Sequence, residues 1–130
     1  MGCDFQGKDL PPASANVETT LTVAEQYHDG DEIIMQFSAD WCGPCQQLKA
    51  MANESQALQK HFNSTKGYFV IDIDEEDTFS KAWTAKANPG SIPTVIRYRY
   101  KDGKWSEGMR FVGYRNEEAF LSFLKVKWPL

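Results

Sequence analysis

The sequence lacks long apolar runs and clustered positive charge, and each shortage excludes a class of protein. Its longest strictly apolar stretches, such as Ile33-Ile34-Met35, are about three residues long, whereas a membrane-spanning helix needs about 20. Lysine and arginine number 14 against 18 aspartates and glutamates, which gives a formal net charge of −4. Because phosphate binding needs clustered lysine and arginine, we expect neither a membrane span nor a nucleic-acid partner.

Cysteine and histidine are also scarce. The chain has only three cysteines, and an odd count with one close pair is not the disulfide framework of a small secreted domain. A structural zinc site needs about four ligands. Outside the pair Cys42 and Cys45, the chain offers only Cys3, His28 and His61, none of them in a paired spacing. We therefore expect no metal, and we interpret both histidines as solvated surface residues.

The length of 130 residues and the hydrophobic fraction of 42% are typical of one soluble domain with a single core. Residues 1–16 have no periodicity and contain Pro11-Pro12, which predicts a flexible leader. The leader has no basic region followed by an apolar region, so we do not expect it to be an intact secretory signal. Residues 17–130 are predicted to form the domain.

Cys3, within this leader, is open to three interpretations. As the first residue of a processed lipoprotein, it would tether the domain outside the cytoplasm. A Met-Gly-Cys start could also be acylated, although Gln6 stands where a myristoylation signal has serine or threonine. The third interpretation is a free thiol in a disordered tail.

From Val17 onward, helical and strand patterns alternate. The pattern predicts a weak strand at 17–20, helices at 21–27, 45–62, 79–83 and 116–124, and strands at 32–39, 67–74, 94–100 and 105–112. The strands at 32–39 and 67–74 carry few charges among β-branched and aromatic residues and are expected to be interior. The strand at 94–100 alternates, which predicts one wetter face that carries Arg97 and Arg99. The whole is an α/β fold: a central mixed sheet with helices on both faces, parallel at first and antiparallel at the end.

The segment Trp41-Cys42-Gly43-Pro44-Cys45 carries the chemistry. A strand before it and a helix after it place Cys42 at a helix amino terminus, where backbone N–H groups and the helix dipole stabilise a thiolate. Cys42 is therefore predicted to be the nucleophile, and Cys45, one turn further and less exposed, the resolving thiol. Pro44 suits the first helical turn, and Gly43 lets a partner approach.

A second informative segment is Ile92-Pro93-Thr94, in which a proline lies directly before a predicted strand. An X-Pro bond in a tight turn tolerates the cis form, and an ordinary trans proline also starts strands. The residues alone leave both forms open.

These pieces together resemble the thioredoxin family. The resemblance rests on residues 37–45 (FSADWCGPC), 71–74, 91–95, Asp102-Gly103 and Val112-Gly113. It implies the thioredoxin fold and a monomeric protein-disulfide reductase whose redox group is the Cys42–Cys45 pair, with no other cofactor. It also implies that Pro93 is cis beside the sulfurs, that the Ile92 backbone pairs with substrate peptide, and that Trp41 and Gly113 face the substrate. The implied partners are disulfide-containing client proteins and an electron donor, either thioredoxin reductase or a membrane thiol donor.

Four departures from the family pattern stand out. Gln36 occupies the position of a buried acid that assists the resolving thiol, and an amide cannot titrate near neutrality. Val70 stands where the partner lysine of that acid is common, so both charges are absent together, which avoids one buried unpaired charge. Ser38 replaces an aromatic residue. The segment between Asp74 and Pro93 is longer than usual and contains acidic residues 75–77, which we expect to cap the helix at 79–83.

Two alternatives to a cytoplasmic reductase stay open. Residues 38–42 and 54–60 are also similar to extracytoplasmic thiol:disulfide interchange domains, which would fit tethering through a lipidated Cys3. The third hypothesis is an interaction module whose cysteine pair turns over slowly because Gln36 replaces the acid.

Overall fold

Strands and helices alternate along the chain in the computed structural model, which describes residues 2–4, 17 and 27–128. The strands are β1 (Cys3–Asp4), β2 (Glu32–Ser38), β3 (Tyr68–Asp72), β4 (Ser91–Ile92), β5 (Thr94–Lys101) and β6 (Lys104–Val112). The helices are α1 (Gly43–Glu54), α2 (Gln56–Asn63), α3 (Thr78–Ala87) and α4 (Glu117–Lys125). The predicted order of elements from 32 onward is found, except that two helices replace the one predicted at 45–62 and the short strand β4 was not predicted.

The main sheet has the strand order β3-β2-β5-β6. β2 runs parallel to β3, and β5 runs antiparallel to both β2 and β6. In this register Gln36 of β2 lies opposite Val70 on one side and Val95 on the other. The predicted mixed sheet, parallel first and antiparallel at the end, is confirmed.

Each face of the sheet has its own hydrophobic cluster because successive β2 side chains point to opposite faces. Ile33, Met35 and Phe37 pack with Trp83 of α3 and with both active-site cysteines. On the other face, Ile34 packs with residues of α1, α2 and α4, namely Leu48, Ala52, Leu58, Phe62, Phe120 and Leu124. Helices therefore cover both faces, as expected.

The single helix predicted at 45–62 is wrong, because the structure has two helices that meet at Ser55. Ser55 adopts an extended backbone (φ −79°, ψ 117°) that ends α1. Its Oγ then accepts a hydrogen bond from the Leu58 N–H at 3.1 Å, which caps α2. A serine that caps the backbone competes with helix continuation, and the unbroken apolar stripe hid this break.

Arg97 does not lie on an exposed face. Its residue exposure is only 4%, because its guanidinium pairs with Glu32 at 2.8 Å and donates to the carbonyl oxygens of Phe123 and Val126. The prediction that Arg97 lies on a wetter face of β5 is therefore wrong. β3 is also less interior than predicted, since Val70 is 38% exposed.

Local turn and cap signals were accurate. Asp102 and Gly103 adopt φ angles of 52° and 79°, as expected for the hairpin between β5 and β6. Asn116 Oδ1 accepts a hydrogen bond from the Ala119 N–H at 2.9 Å and caps α4. Asp77 caps α3 in the same way, through the Ser80 N–H at 2.9 Å.

The first part of the chain differs from expectation where it is described. Val17 is helical, so the strand predicted at 17–20 is wrong there, while 18–20 and most of the helix at 21–27 lie outside the described residues. Within the predicted leader, Cys3–Asp4 forms strand β1, which pairs antiparallel with β4; the domain boundary itself stays a prediction. Among the helices of the described ranges, none has the length and apolar character needed to span a bilayer.

Candidate active site

Cys42 is held at the amino end of α1 by the chain that follows β2. Its N–H donates to the Ala39 carbonyl at 3.1 Å, and it serves as the N-cap residue of α1. The Sγ atom accepts a hydrogen bond from the Cys45 N–H at 3.3 Å, so the sulfur takes the place of the oxygen of an ordinary cap. Pro44 lies in the first turn, as predicted.

Cys42 and Cys45 are joined in a disulfide with a Cα–Cα distance of 5.2 Å, within the normal range. Neither cysteine has exposed surface. The expected difference, with Cys42 more exposed than Cys45, is therefore absent in this structure. Cys42 Sγ lies 3.7 Å from the Ile92 carbonyl oxygen, and the Ile92–Pro93 bond is cis.

The residues expected to face substrate surround this disulfide in different ways. The Trp41 side chain is 51% exposed, and its indole N–H donates to Asp74 Oδ2 at 2.8 Å. Gly113, at φ 87°, donates its N–H to the Pro93 carbonyl at 2.8 Å. The structure thus links Gly113 directly to the cis-proline segment. Gly43 is exposed, and a Cβ at this position would contact nothing.

Gln36 is fully buried below the disulfide. Its Nε2 donates to the Cys45 carbonyl at 3.2 Å, and its Oε1 accepts a hydrogen bond from the Tyr68 hydroxyl. Burial raises the pKa of Tyr68 well above its ordinary value, so the phenol stays protonated and acts as the donor. The amide therefore connects β3 to the first turn of α1.

Tyr68 is a site residue that the sequence did not reveal. It comes from the neighbouring strand, and only the parallel register between β2 and β3 brings it to Gln36.

The absence of a lysine at Val70 needs a different reason from the one predicted. A charge at Gln36 would be buried, but a lysine at the half-exposed position 70 would reach solvent, so the loss of both charges is not required on that side.

The acidic segment after β3 is only partly as expected. Asp77 caps α3, while Glu76 pairs with Lys81 at 2.9 Å on the surface. Asp40 is exposed two residues after the end of β2. His28 is exposed, as expected, and His61 is half-buried. In the part of the chain that the structure describes, no group of three or more His, Cys, Asp or Glu side chains could hold a metal ion.

A disulfide that caps the helix after a buried strand, next to a cis-proline, defines the class of thioredoxin-fold redox proteins. The family model named Thioredoxin matches residues 16–126. The chain therefore belongs to the thioredoxin family, a family of thiol-disulfide oxidoreductases that work through their own cysteine pair.

Similar proteins support this assignment. The chain is 33% identical over 86 residues to Thioredoxin H4-1 of Oryza sativa subsp. japonica, which covers 66% of this chain and 63% of that protein. It is 37% identical over 86 residues to Thioredoxin H9 of Arabidopsis thaliana, and this match covers 66% of this chain and 59% of that protein. The match thus spans about three-fifths of the length of these curated relatives.

Solved structures show the same fold. A thioredoxin from Thermus thermophilus superposes with a TM-score of 0.63 at 19% identity, covering 73% of this chain and 72% of that one. The C-terminal domain of Neisseria meningitidis DsbD superposes with a TM-score of 0.61 at 18% identity, and the match covers 84% of this chain and 88% of that one. At these identities the likeness concerns the fold alone.

Proposed function

We propose that this protein reduces disulfide bonds in client proteins through the Cys42–Cys45 dithiol. The observation that carries the proposal is the position of Cys42 Sγ as the cap of α1, 3.3 Å from the Cys45 N–H. A backbone donor and the positive end of the helix stabilise a thiolate there, which lowers the pKa of such a thiol from about 8.5 toward 7 or below.

The reaction follows from the two positions. In the reduced protein, the Cys42 thiolate attacks one sulfur of a client disulfide, and the other client sulfur leaves as a thiolate that takes a proton. The Cys45 thiol then loses its proton and attacks Cys42 Sγ, which forms the Cys42–Cys45 disulfide and releases the second client thiol. Two electrons pass to the client, and a separate dithiol donor, such as thioredoxin reductase or a membrane thiol protein, restores the reduced pair.

Client binding uses the backbone beside the cysteines. The Ile92 carbonyl, 3.7 Å from Cys42 Sγ, is the acceptor that an extended client segment would meet when it pairs with β4. Trp41 and the 49% exposed Val112 supply apolar surface, and Gly43 and Pro44 extend it. Pro93 and Gly113 are buried in this structure and are hydrogen-bonded to each other beside Ile92. The buried amide of Gln36 orients the Cys45 turn, and water takes the proton from the resolving thiol.

Insulin reduction driven by dithiothreitol tests the activity. We expect the protein to accelerate insulin precipitation over dithiothreitol alone, Cys42→Ser to abolish the acceleration, and Cys3→Ser, the matched control, to keep it. A folded protein without acceleration would instead support the slow interaction module.

A trapping experiment tests the two cysteine roles. Cys45→Ser should accumulate mixed disulfides between client proteins and Cys42, because no thiol is left to resolve them. The same trap on Cys42→Ser should stay empty. Mixed disulfides that instead formed at Cys45 would reverse the assignment.

A further inference from the structure

The short strand β1 occupies the backbone edge that the proposed function assigns to clients. β1 pairs antiparallel with β4, with Cys3 opposite Ile92 and Asp4 opposite Ser91. A strand edge carries one row of N–H and C=O groups and can pair with one strand at a time. A client segment that pairs with Ile92 and β1 therefore exclude each other.

Gly2 brings β1 close to the reacting sulfur. A Cβ placed on Gly2 would lie 2.7 Å from the Ile92 carbonyl oxygen and 3.5 Å from Gly113 Cα. The Ile92 oxygen is the atom that lies 3.7 Å from Cys42 Sγ. The backbone of Gly2 thus fills the space between two segments of the proposed client surface, and only a residue without a Cβ approaches so closely.

Cys3 adds side-chain packing to this backbone pairing. It is half-buried against the cluster that contains Cys42 and Ile92, and Cys42 itself has no exposed surface. A client segment that pairs with the Ile92 backbone therefore reaches the Cys42 sulfur only after β1 has left β4.

We propose that β1 is an autoinhibitory strand that competes with client proteins for the backbone of β4. The inference rests on the proposed reductase function and adds its regulation. The competition is non-covalent: β1 mimics the extended client segment through its backbone, and no sulfur of Cys3 takes part.

The test compares Gly2→Val with the unchanged chain on two substrates. The valine Cβ collides with the Ile92 carbonyl, a backbone atom that cannot move aside as a flexible side chain would, so β1 should detach. If β1 is docked about four-fifths of the time, kcat/KM for insulin should rise about fivefold. The rate with 5,5′-dithiobis(2-nitrobenzoate), which has no peptide backbone to pair with β4, should rise less.

Three further variants make the result specific. Gly90→Ala is the matched control, because a Cβ at Gly90 contacts nothing within 4 Å, and it should leave both rates unchanged. A chain without residues 1–4 should match Gly2→Val. Cys3→Ser should match the unchanged chain, since the backbone pairing is kept.

The outcomes separate this inference from the proposed function. Equal insulin rates for the unchanged chain and Gly2→Val, with both active, would overturn autoinhibition and leave the reductase in place. A Cys3→Ser rate as high as that of Gly2→Val would also overturn it, because the thiol would then be responsible. If no variant accelerated insulin reduction, the reductase proposal would fall, and the inhibition that depends on it would fall too.

Discussion

At the scale of single residues, the buried Gln36 determines what the interior beneath the disulfide can do. A carboxyl group could take up and release a proton there, whereas an amide can only hold geometry. Its two ends have different partners, the Tyr68 hydroxyl and the Cys45 carbonyl. The amide orientation is therefore fixed by chemistry, because the Cys45 carbonyl oxygen needs the N–H end of the amide and the protonated phenol donates to Oε1.

The first prediction concerns this network. Tyr68→Phe leaves Gln36 Oε1 buried without its donor, which should lower the free energy of unfolding by about 1–3 kcal/mol. Urea denaturation measures the loss.

Tyr114→Phe is the control, because the Tyr114 hydroxyl lies 3.9 Å from Met51 Sδ, a weak acceptor. Tyr114→Phe should lower the free energy of unfolding by less than about 0.5 kcal/mol. Equal losses in the two variants would contradict the proposed role of Tyr68.

At the scale of elements, helix ends differ in how clearly the sequence predicts them. Asp77 and Asn116 were recognised because each precedes a helical pattern with a side-chain acceptor. Ser55 was missed although it performs the same function, since the apolar stripe continues across it from Leu48 to Leu58. A periodic pattern reports which face is buried and does not report whether the backbone is continuous.

The second prediction concerns the cap of α3. Asp77→Ala removes the acceptor of the Ser80 N–H and should lower the free energy of unfolding by about 1 kcal/mol at pH 7. Asp77→Asn keeps an acceptor and should stay close to the unchanged protein. Thermal or urea unfolding distinguishes the three proteins.

The same cap predicts a pH dependence. Hydrogen bonds from the Ser80 backbone and side chain lower the pKa of Asp77 below its ordinary value of 3.8. The contribution of the carboxylate is thus fully present above pH 3.8 and is lost as the pH falls through the lower folded-state pKa. The difference in unfolding free energy between the unchanged protein and Asp77→Asn should therefore change only in acid. A difference that stayed constant down to about pH 2 would contradict this expectation.

At the scale of the whole molecule, Arg97 joins the sheet to α4 and the segment directly after it. Its guanidinium meets Glu32 from β2 and carbonyl oxygens at and beyond α4, at 3.0 Å from Phe123 and 2.7 Å from Val126. Glu32 also accepts a hydrogen bond from the Trp128 indole, and the Trp128 ring lies 5.2 Å from the guanidinium carbon. The last described residues are fastened to the sheet through this one buried charge.

The third prediction concerns the contribution of these Arg97 contacts to the free energy of unfolding. Arg97→Ala leaves the Glu32 carboxylate without its ion-pair partner and should lower the free energy of unfolding by about 3 kcal/mol or more, because an uncompensated charge stays largely buried. The double variant Arg97→Ala with Glu32→Gln should recover part of that loss, as measured by a double-mutant cycle in urea. Arg99→Ala is the control and should cost less than about 1 kcal/mol; a similar loss for both arginines would contradict the prediction.

Arg97 also shows which features of the structure the sequence can predict and which it cannot. The alternation of strands and helices, the hairpin at Asp102-Gly103 and the position of Cys42 at a helix start follow from local patterns, and the structure confirms them. The burial of Arg97 depends on carbonyl groups more than 25 positions away, and the Tyr68–Gln36 bond depends on strand register. β1 could not be predicted either, because two residues carry no periodicity.

The pairing of β1 with β4 has a consequence for how the protein would respond to its surroundings. Both strands belong to one polypeptide, so β1 faces β4 at an effective concentration that depends on the connecting chain and is unaffected by dilution. Extended segments that bind weakly would be rejected however dilute the protein is, and segments that add contacts on Trp41 and Val112 would displace β1. In the proposed reductase, the strand would therefore set a threshold on client affinity and make the site selective among clients.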